Sequence, residues 1–224
     1  MKPGWLIFGG VGLVLLLLVG VPRAMREMDF FRISRIEVRG LANLRAEDVA
    51  RVLPVPPGMS LFDDLDQVQR AADSIPGLAD VVVSRRMPGT LIVEVREVPP
   101  IALVMRKGRL CLLGEDGRVL PFDPTVSAPD LPIVREADSV VTRLLARVRD
   151  ADVTLFSKVV TGWRAGDDVV LSVGAQRYWF RPDAPAEVIR AVIFVAQHLE
   201  KQGRRYAELD ARFAGQVVVR WVAA

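Results

Sequence analysis

The residue types that most often carry catalysis are scarce in this chain of 224 residues. His198 is the one histidine and Cys111 the one cysteine, so a zinc site built from histidine and thiolate ligands is excluded. His198 lies late in a predicted helix, where it can interact with the dipole at the helix C-terminus. Cys111 lies in the apolar segment RLCLLG and is interpreted as a buried structural thiol.

Two acidic pairs, Asp63-Asp64 and Asp167-Asp168, are the remaining candidates for acid–base chemistry. The first pair lies at a predicted helix start and the second in a predicted turn, positions where solvated carboxylates cap backbone amides. The sequence contains no G-x-S-x-G motif, no P-loop and no G-x-G-x-x-G motif. We therefore predict that the protein is not an enzyme and has no cofactor, no metal and no small-molecule substrate.

The composition indicates a folded chain that does not bind nucleic acid. Hydrophobic residues make up 51% of the sequence, and the mean hydropathy is +0.27. The formal net charge is only +3, and no basic stripe is interleaved with aromatic residues, so no nucleic-acid partner is expected. The single cysteine leaves no internal disulfide possible.

The start of the chain predicts a membrane anchor. Residues 3–22 carry no charge, and a helix of this length reaches about 30 Å, the thickness of a bilayer core. We predict a transmembrane helix at 5–22 after a short tail at 1–4, with membrane lipid as a partner. A cleaved signal peptide is the alternative, but Pro22, two residues ahead of Ala24, makes a poor cleavage site.

The charges that flank the predicted helix do not decide its orientation. Lys2 and the amino terminus precede the helix. The arginines that follow it are Arg23, Arg26, Arg32, Arg35 and Arg39. This excess favours a cytoplasmic location for the rest of the chain, but long domains cross membranes largely regardless of charge. Orientation stays open at this point.

Residues 31–99 predict a small unit with the order strand, helix, helix, strand, strand. Pro88-Gly89 marks a tight turn, and the alternation of Leu91, Val93 and Val95 with Ile92, Glu94 and Arg96 after it indicates a strand with one buried face. The two helices supply the crossover that parallel pairing between the first strand and the hairpin requires.

Residues 100–224 predict a mostly antiparallel β domain with helices, so the fold class is α+β. Turn signals at Lys107-Gly108 and Asp116-Gly117 separate short strands. Helices are expected at 139–151 and 184–202, and the chain is expected to close on strands at 205–213 and 216–222. There are no internal repeats.

The closing strand QVVVRWV is a candidate docking element. Val217, Val219 and Trp221 share one face of the strand because side chains alternate. If this strand is a sheet edge, it can recruit a partner strand, with Trp221 as an anchor. Trp221 taken alone is equally compatible with a place in the core of the domain.

The ordered combination of these segments resembles the FtsQ/DivIB family of bacterial cell-division proteins. ISRIEVRGLANLRAEDVARVL and IPGLADVVVSRRMPGTLIVEVREVPPIA resemble a POTRA domain, including its V-x-E-x-x-P-I-A exit. LCLLGEDGRVLPF resembles the L-V-D-x-x-G hairpin of the family, and YAELDARFAGQVVVRW resembles its closing strands.

The resemblance implies a single-pass inner-membrane protein that is enriched at the division septum. Its tail at 1–4 would be cytoplasmic and its bulk would face the periplasm. It implies a non-catalytic scaffold that links early and late division proteins. The implied partners resemble FtsB and FtsL, which dock at the last strands, and an upstream recruiter resembling FtsK; septal cell-wall synthesis proteins are further candidates.

The family's partner-binding residues carry over by motif. The recruitment region carries over to Val83 and Arg85. The docking residues carry over to Arg212, Phe213, Gly215 and Trp221. Two positions depart from the family pattern, since Phe213 stands in place of tyrosine and Gly215 in place of a small polar residue.

Two other functions compete with this interpretation. A transport module that docks exported polypeptides predicts several POTRA repeats and a run of barrel strands, and the sequence has neither. A membrane-anchored enzyme acting on cell-wall precursors needs a nucleophile or paired carboxylates in a pocket, and the residues supply no convincing set.

Overall fold

A computed structural model of the protein describes residues 28–127 and 130–222. The chain forms two compact units, divided between Glu97 and Val98. The predicted tail at 1–4 and transmembrane helix at 5–22 lie outside the described residues. Among the residues that are described, no helix is both long enough and apolar enough to cross a membrane.

The first unit is a three-stranded sheet covered by two helices. Its elements are a 3-10 turn (Asp29–Phe31), β1 (Arg35–Arg39), α1 (Ala46–Val52), α2 (Asp66–Asp73), β2 (Leu78–Arg86) and β3 (Thr90–Glu97). The strand order is β1-β3-β2, with β1 parallel and β2 antiparallel to β3. The predicted order of elements and the parallel pairing of the first strand are both confirmed.

The core of this unit lies between β3 and α2. Leu91 and Val93 are fully buried and meet Val68 and Ala72 of α2, which are also fully buried. Because Leu91, Val93 and Val95 alternate along β3, they all point to the helices, as the period-2 pattern predicts.

Two loop positions in the first unit have roles that the structure defines. Helix α2 begins at Asp66, and Asp64 accepts a hydrogen bond from the backbone amide of this first residue (2.9 Å), as predicted for one of the two carboxylates. Asp63 accepts one from the backbone amide of Ser60 (2.8 Å). Gly89 does not adopt a positive φ. A Cβ at Gly89 would lie 2.5 Å from the carbonyl oxygen of Arg32, so close backbone approach is what requires glycine.

Glu97, the acidic residue of the V-x-E-x-x-P segment, ties the end of β3 to the chain before α1. Its carboxylate accepts hydrogen bonds from the backbone amides of Ala42 (3.0 Å), Asn43 (2.9 Å) and Leu44 (2.9 Å), and from the side-chain amide of Asn43 (2.7 Å). Burial raises the pKa of Glu97, but these hydrogen bonds outweigh it and hold the pKa below its ordinary value.

The second unit contains one nine-stranded sheet and four helices within the described residues. The strands are β4 (Ala102–Arg106), β5 (Arg109–Leu113), β6 (Val119–Leu120), β7 (Ile133–Val134), β8 (Val159–Ala165), β9 (Asp168–Val173), β10 (Gln176–Phe180), β11 (Tyr206–Asp210) and β12 (Val218–Trp221). The helices are α3 (Pro124–Ser127), α4 (Ser139–Ala151), α5 (Val153–Lys158) and α6 (Ala186–Lys201).

The order of strands in this sheet is β12-β11-β10-β9-β8-β7-β4-β5-β6. Three neighbouring pairs are parallel, namely β4 with β7, β7 with β8, and β10 with β11, and the other pairs are antiparallel. The prediction of a mostly antiparallel domain is confirmed. Helices α4 and α6 pack on the sheet through one cluster that includes Leu144, Leu145, Ile189 and Val192.

The two closing strands are shorter than the sequence predicts. β11 ends at Asp210 and β12 begins only at Val218. Between them the chain turns through Gly215, whose φ is +72° and which therefore favours glycine. The turn takes Phe213 out of the strand that the sequence pattern assigns to it.

Candidate functional site

β12 is an edge strand of the nine-stranded sheet. It pairs only with β11, and Val218, Val219 and Trp221 lie opposite Asp210, Leu209 and Tyr206. Within the described part of the chain, no strand lies on the outer side of β12. An edge strand of this kind presents backbone N–H and C=O groups that a partner strand can pair with.

The side chains of this segment combine core contacts with exposed apolar surface. Val217 and Val219 pack against the core of the domain. Trp221 is 47% exposed, and the guanidinium carbon of Arg204 lies 4.2 Å from the centre of its ring. The structure therefore favours the edge interpretation of Trp221 over the core alternative.

A groove of about 450 Å³ lies between α6 and the segment that leads into β12. We call it the docking groove; its lining residues are Glu187, Val188, Ala191, Phe194, Val195, Phe213, Gly215, Gln216 and Val217. Phe194 is 70% exposed and Phe213 is 47% exposed. Large apolar side chains exposed next to a free strand edge are typical of a protein-docking surface.

Sequence reasoning missed the contribution of α6 to this groove. The core side of α6 contains Ile189 and Val192, which are fully buried. Ala191, Phe194 and Val195 form a second apolar stripe at i, i+3 and i+4. A helix that is apolar on more than one side exposes apolar surface beyond its contact with the core. This second stripe can be read from the sequence and would have indicated that α6 contributes to the groove.

Arg212 stabilises the end of β11, next to the free edge of β12. Its guanidinium donates to both carboxylate oxygens of Asp210 (2.8 and 2.6 Å) and to Asp168 (2.8 Å), and it lies 4.6 Å from the ring centre of Trp179. The hydrogen bonds from Arg212 hold the pKa of the buried Asp210 below its ordinary value. Asp168 is thus an ion-pair partner, and its interpretation as a solvated cap is wrong.

The remaining predicted docking residue, Gly215, contributes backbone geometry alone. A Cβ at Gly215 would meet no atom within 4 Å, so space is not what restricts this position. The positive φ restricts this position, because residues other than glycine rarely adopt such a φ.

A larger cleft of about 630 Å³ lies near the other end of β12 and includes Arg204. The hydroxyl groups of Tyr178 and Tyr206 lie 2.8 Å apart at this cleft and join β10 to β11. Burial raises the pKa of both tyrosines, so the hydroxyls stay neutral. Because Tyr206 lies opposite Trp221 in the pairing of β11 with β12, the tyrosine pair stabilises the part of the sheet next to Trp221.

Val83 and Arg85 lie on β2, one of the two edge strands of the first unit. The backbone N–H of Val83 donates to the side-chain oxygen of Gln69 (3.0 Å), and the Gln69 amide nitrogen donates to the carbonyl of Val81 (2.9 Å). The same nitrogen donates to Asp73 (2.8 Å), which holds the side chain in place. Gln69 thus satisfies backbone hydrogen-bonding groups at the centre of the outer edge of β2. No sequence pattern predicted this role.

Arg85 is exposed, as expected of a contact residue, but it also has structural partners. Its guanidinium donates to the carbonyl oxygens of Leu61 and Asp63 (2.9 Å for Asp63). These bonds fix the loop before α2 to β2. Arg85 and Val83 keep their place as predicted contact residues, with Val83 half-buried against the core.

The residues considered for catalysis are dispersed. His198 interacts with Gln202 (2.9 Å) near the end of α6, and Cys111 is half-buried in β5. In the ranges 28–127 and 130–222, no group of three or more histidine, cysteine or acidic residues could hold a metal ion.

Comparison with known proteins gives consistent matches. The family described as "POTRA domain, FtsQ-type" matches residues 31–97. The chain is 34% identical over 131 residues to the cell division protein FtsQ of Myxococcus fulvus, covering 54% of this chain and 44% of that protein. It is 33% identical over 128 residues to FtsQ of Bradyrhizobium diazoefficiens, covering 55% and 37%.

A third curated relative, FtsQ of Rickettsia bellii, is 25% identical over 138 residues, covering 61% of this chain and 52% of that protein. The chain thus spans about half the length, or less, of these relatives. Among solved structures, the major extracytoplasmic domain of DivIB from Geobacillus stearothermophilus matches with a TM-score of 0.35 and 20% identity, covering 47% of this chain and 96% of that one.

Proposed function

Because the chain belongs to the FtsQ/DivIB family, we propose that it is a scaffold of the cell-division machinery that works by binding other proteins. In this proposal it links early and late division proteins at the septum. Its single membrane helix at 5–22 anchors it in the inner membrane, and both units lie in the periplasm.

The free edge of β12 is the observation that carries this proposal. We assign it to a coiled-coil division protein resembling FtsB, bound together with a partner resembling FtsL. A strand added to β12 obtains main-chain hydrogen bonds irrespective of its sequence. The docking groove, with Phe194 and Phe213, then receives apolar side chains from the same segment and supplies specificity.

We place an upstream recruiter resembling FtsK at β2 of the first unit, around Val83 and Arg85. Since Gln69 occupies the edge at Val81 and Val83, this contact uses side chains rather than an added strand. Val82, which is 57% exposed, is the one large apolar side chain of β2 that is exposed. The contact therefore centres on the outward side chains of β2.

Site-specific photo-crosslinking in dividing cells tests the β12 assignment. A photoreactive phenylalanine analogue at position 218, 194 or 213 is expected to crosslink to the FtsB-like protein, identified by mass spectrometry. Position 160 is the matched control, because Val160 is 54% exposed but lies on β8, an inner strand. Equal yields of this adduct at 218 and 160 would contradict the assignment.

A C-terminal reporter that is active only after export tests the topology. We expect activity from a fusion after Trp221. A reporter that is active only in the cytoplasm would overturn the periplasmic location and leave the β12 edge to be tested separately.

A further inference from the structure

One end of the first unit carries large apolar side chains that its core does not use. Met28 is 51% exposed, Phe30 is 64% exposed and Met87 is 63% exposed. Phe62 lies beside them and is half-buried. We call this surface, made of Met28, Phe30, Phe62 and Met87, the apolar end.

Two sets of contacts hold the apolar end together. The ring of Phe31 lies 5.1 Å from the rings of both Phe30 and Phe62, in edge-to-face geometry. The carbonyl of Gly89 accepts hydrogen bonds from the backbone of Ser34 (2.9 Å) and Arg35 (3.2 Å), which places the turn after Met87 beside the start of β1.

The loop that carries Phe62 is fixed as well. The Arg85 guanidinium binds the carbonyls on either side of Phe62, those of Leu61 and Asp63. The exposed apolar side chains are therefore presented by an ordered backbone. These side chains therefore belong to a folded part of the chain and not to a frayed terminus.

Basic side chains border the apolar end. Arg32 pairs with Asp29 (2.9 Å), and Arg86 pairs with Glu37, and the two arginine side chains are about half exposed. Exposed aromatic and methionine side chains bordered by arginine match the composition of surfaces that lie at a membrane interface. Arginine can extend its charged group to lipid headgroups while its stem stays in apolar contact.

The length of chain that precedes Met28 indicates what covers this surface. The predicted membrane helix ends at Pro22, and residues 23–27 are all that separates it from Met28. Even fully extended, this connection spans at most roughly 20 Å. The end of the unit that contains Met28 and Phe30 is therefore confined to the neighbourhood of the bilayer surface.

We propose that the apolar end rests on the bilayer, with Phe30 and Met87 among the lipid headgroups. This inference rests on the proposed membrane anchor and adds a fixed orientation of the first unit to it. Ala79, near the start of β2, lies eight residues from Met87 along the strand direction, which is about 26 Å. In this orientation Ala79 points away from the membrane.

Depth-dependent fluorescence quenching tests the orientation. In the full-length chain carrying Cys111→Ser, single cysteines are introduced by Phe30→Cys, Met87→Cys or Ala79→Cys and labelled with an environment-sensitive fluorophore. Each protein is reconstituted into phosphatidylethanolamine–phosphatidylglycerol vesicles that contain headgroup nitroxide lipids. Ala79 is the matched control, because it is also exposed and lies at the end of β2 that is far from Met87.

We expect quenching at positions 30 and 87 to be at least threefold stronger than at position 79. Equal quenching at all three positions, in protein that resists extraction from the vesicles, would overturn the orientation and leave the membrane anchor intact. It would also point to a protein as the occupant of the apolar end. Protein that fails to insert at all would overturn the anchor and the orientation together.

Discussion

The carboxylate of Asp210 is fully buried, and the guanidinium of Arg212 binds both of its oxygens, at 2.6 and 2.8 Å. This pair lies at the end of β11, directly before Phe213 and the turn into β12. The residue that the family resemblance assigns to partner binding therefore also stabilises the strand beside the proposed docking edge. Loss of Arg212 is expected to affect folding before it affects any contact.

We predict that Arg212→Ala lowers the free energy of unfolding by about 2 kcal/mol or more, because it leaves a buried carboxylate without its charged donor. Urea denaturation of the purified protein measures this. Arg220→Ala is the control, since Arg220 is 57% exposed and lies 3.6 Å from the same carboxylate. It should cost less than about 1 kcal/mol. Equal effects of the two variants would contradict the structural role of Arg212.

Glu97 makes the stability of the first unit depend on pH. Its folded-state pKa lies below the ordinary value of 4.5, so the stabilisation is present above that value and is lost as pH falls through the folded-state pKa. We predict that Glu97→Gln costs about 2 kcal/mol at pH 7. The difference from wild type should shrink as the pH falls below 4.5.

Chemical denaturation at a series of pH values from 7 to 3 checks this prediction. Glu94→Gln serves as the control, because the Glu94 side chain is 57% exposed on the same strand. A stability difference for Glu97→Gln that stayed constant over the whole pH series would show that the charge of Glu97 is not responsible.

Gln69 is predicted to close the edge of β2. In Gln69→Leu, the backbone N–H of Val83 loses its acceptor, so its hydrogen exchange should accelerate at least tenfold. Gln67→Leu, on the exposed side of the same helix, should leave the exchange of Val83 unchanged. The exposed edge should also make Gln69→Leu more prone to self-association. An unchanged exchange rate in Gln69→Leu would rule out the closing role.

Two substitutions on β2 can separate an effect on recruitment from an effect on stability. Arg85→Ala removes two hydrogen bonds to backbone carbonyls and should cost about 1–2 kcal/mol of stability. Val82→Asp changes an exposed side chain and should shift the melting temperature by less than about 2 °C. We expect Val82→Asp to reduce septal localisation of a tagged protein. Normal localisation of Val82→Asp would move the recruitment contact away from β2.

Much of the first unit could be predicted from sequence because its signals are local. The alternation of Leu91, Val93 and Val95, together with the Pro88-Gly89 turn, defines the hairpin without knowledge of the rest of the chain. The role of Gly89 could not be predicted in the same way. It depends on the approach of Arg32, which is far away in sequence.

The candidate docking surface could be predicted from sequence only in part, for the same reason. The closing strand and Trp221 are recognisable in sequence, but the groove requires α6 to lie beside the segment before β12. The partners of Arg212 likewise come together through the pairing of β9, β10 and β11. Such contacts depend on the order of strands in the sheet, which periodicity does not specify.

Binding of the partner segment to Trp221→Ala tests the central claim most directly. Trp163→Ala is its matched control. Trp163 is also stacked by an arginine, with the Arg135 guanidinium carbon 4.1 Å from its ring centre, but it lies on the inner strand β8. Titration calorimetry with a peptide from the C-terminal region of the FtsB-like protein should show about 30-fold weaker binding for Trp221→Ala, which corresponds to about 2 kcal/mol. Trp163→Ala should bind like wild type, and both variants should unfold at similar temperatures. Unchanged affinity of Trp221→Ala, together with a loss of about 3–5 kcal/mol in stability, would show that Trp221 belongs to the core and that β12 is not the docking edge.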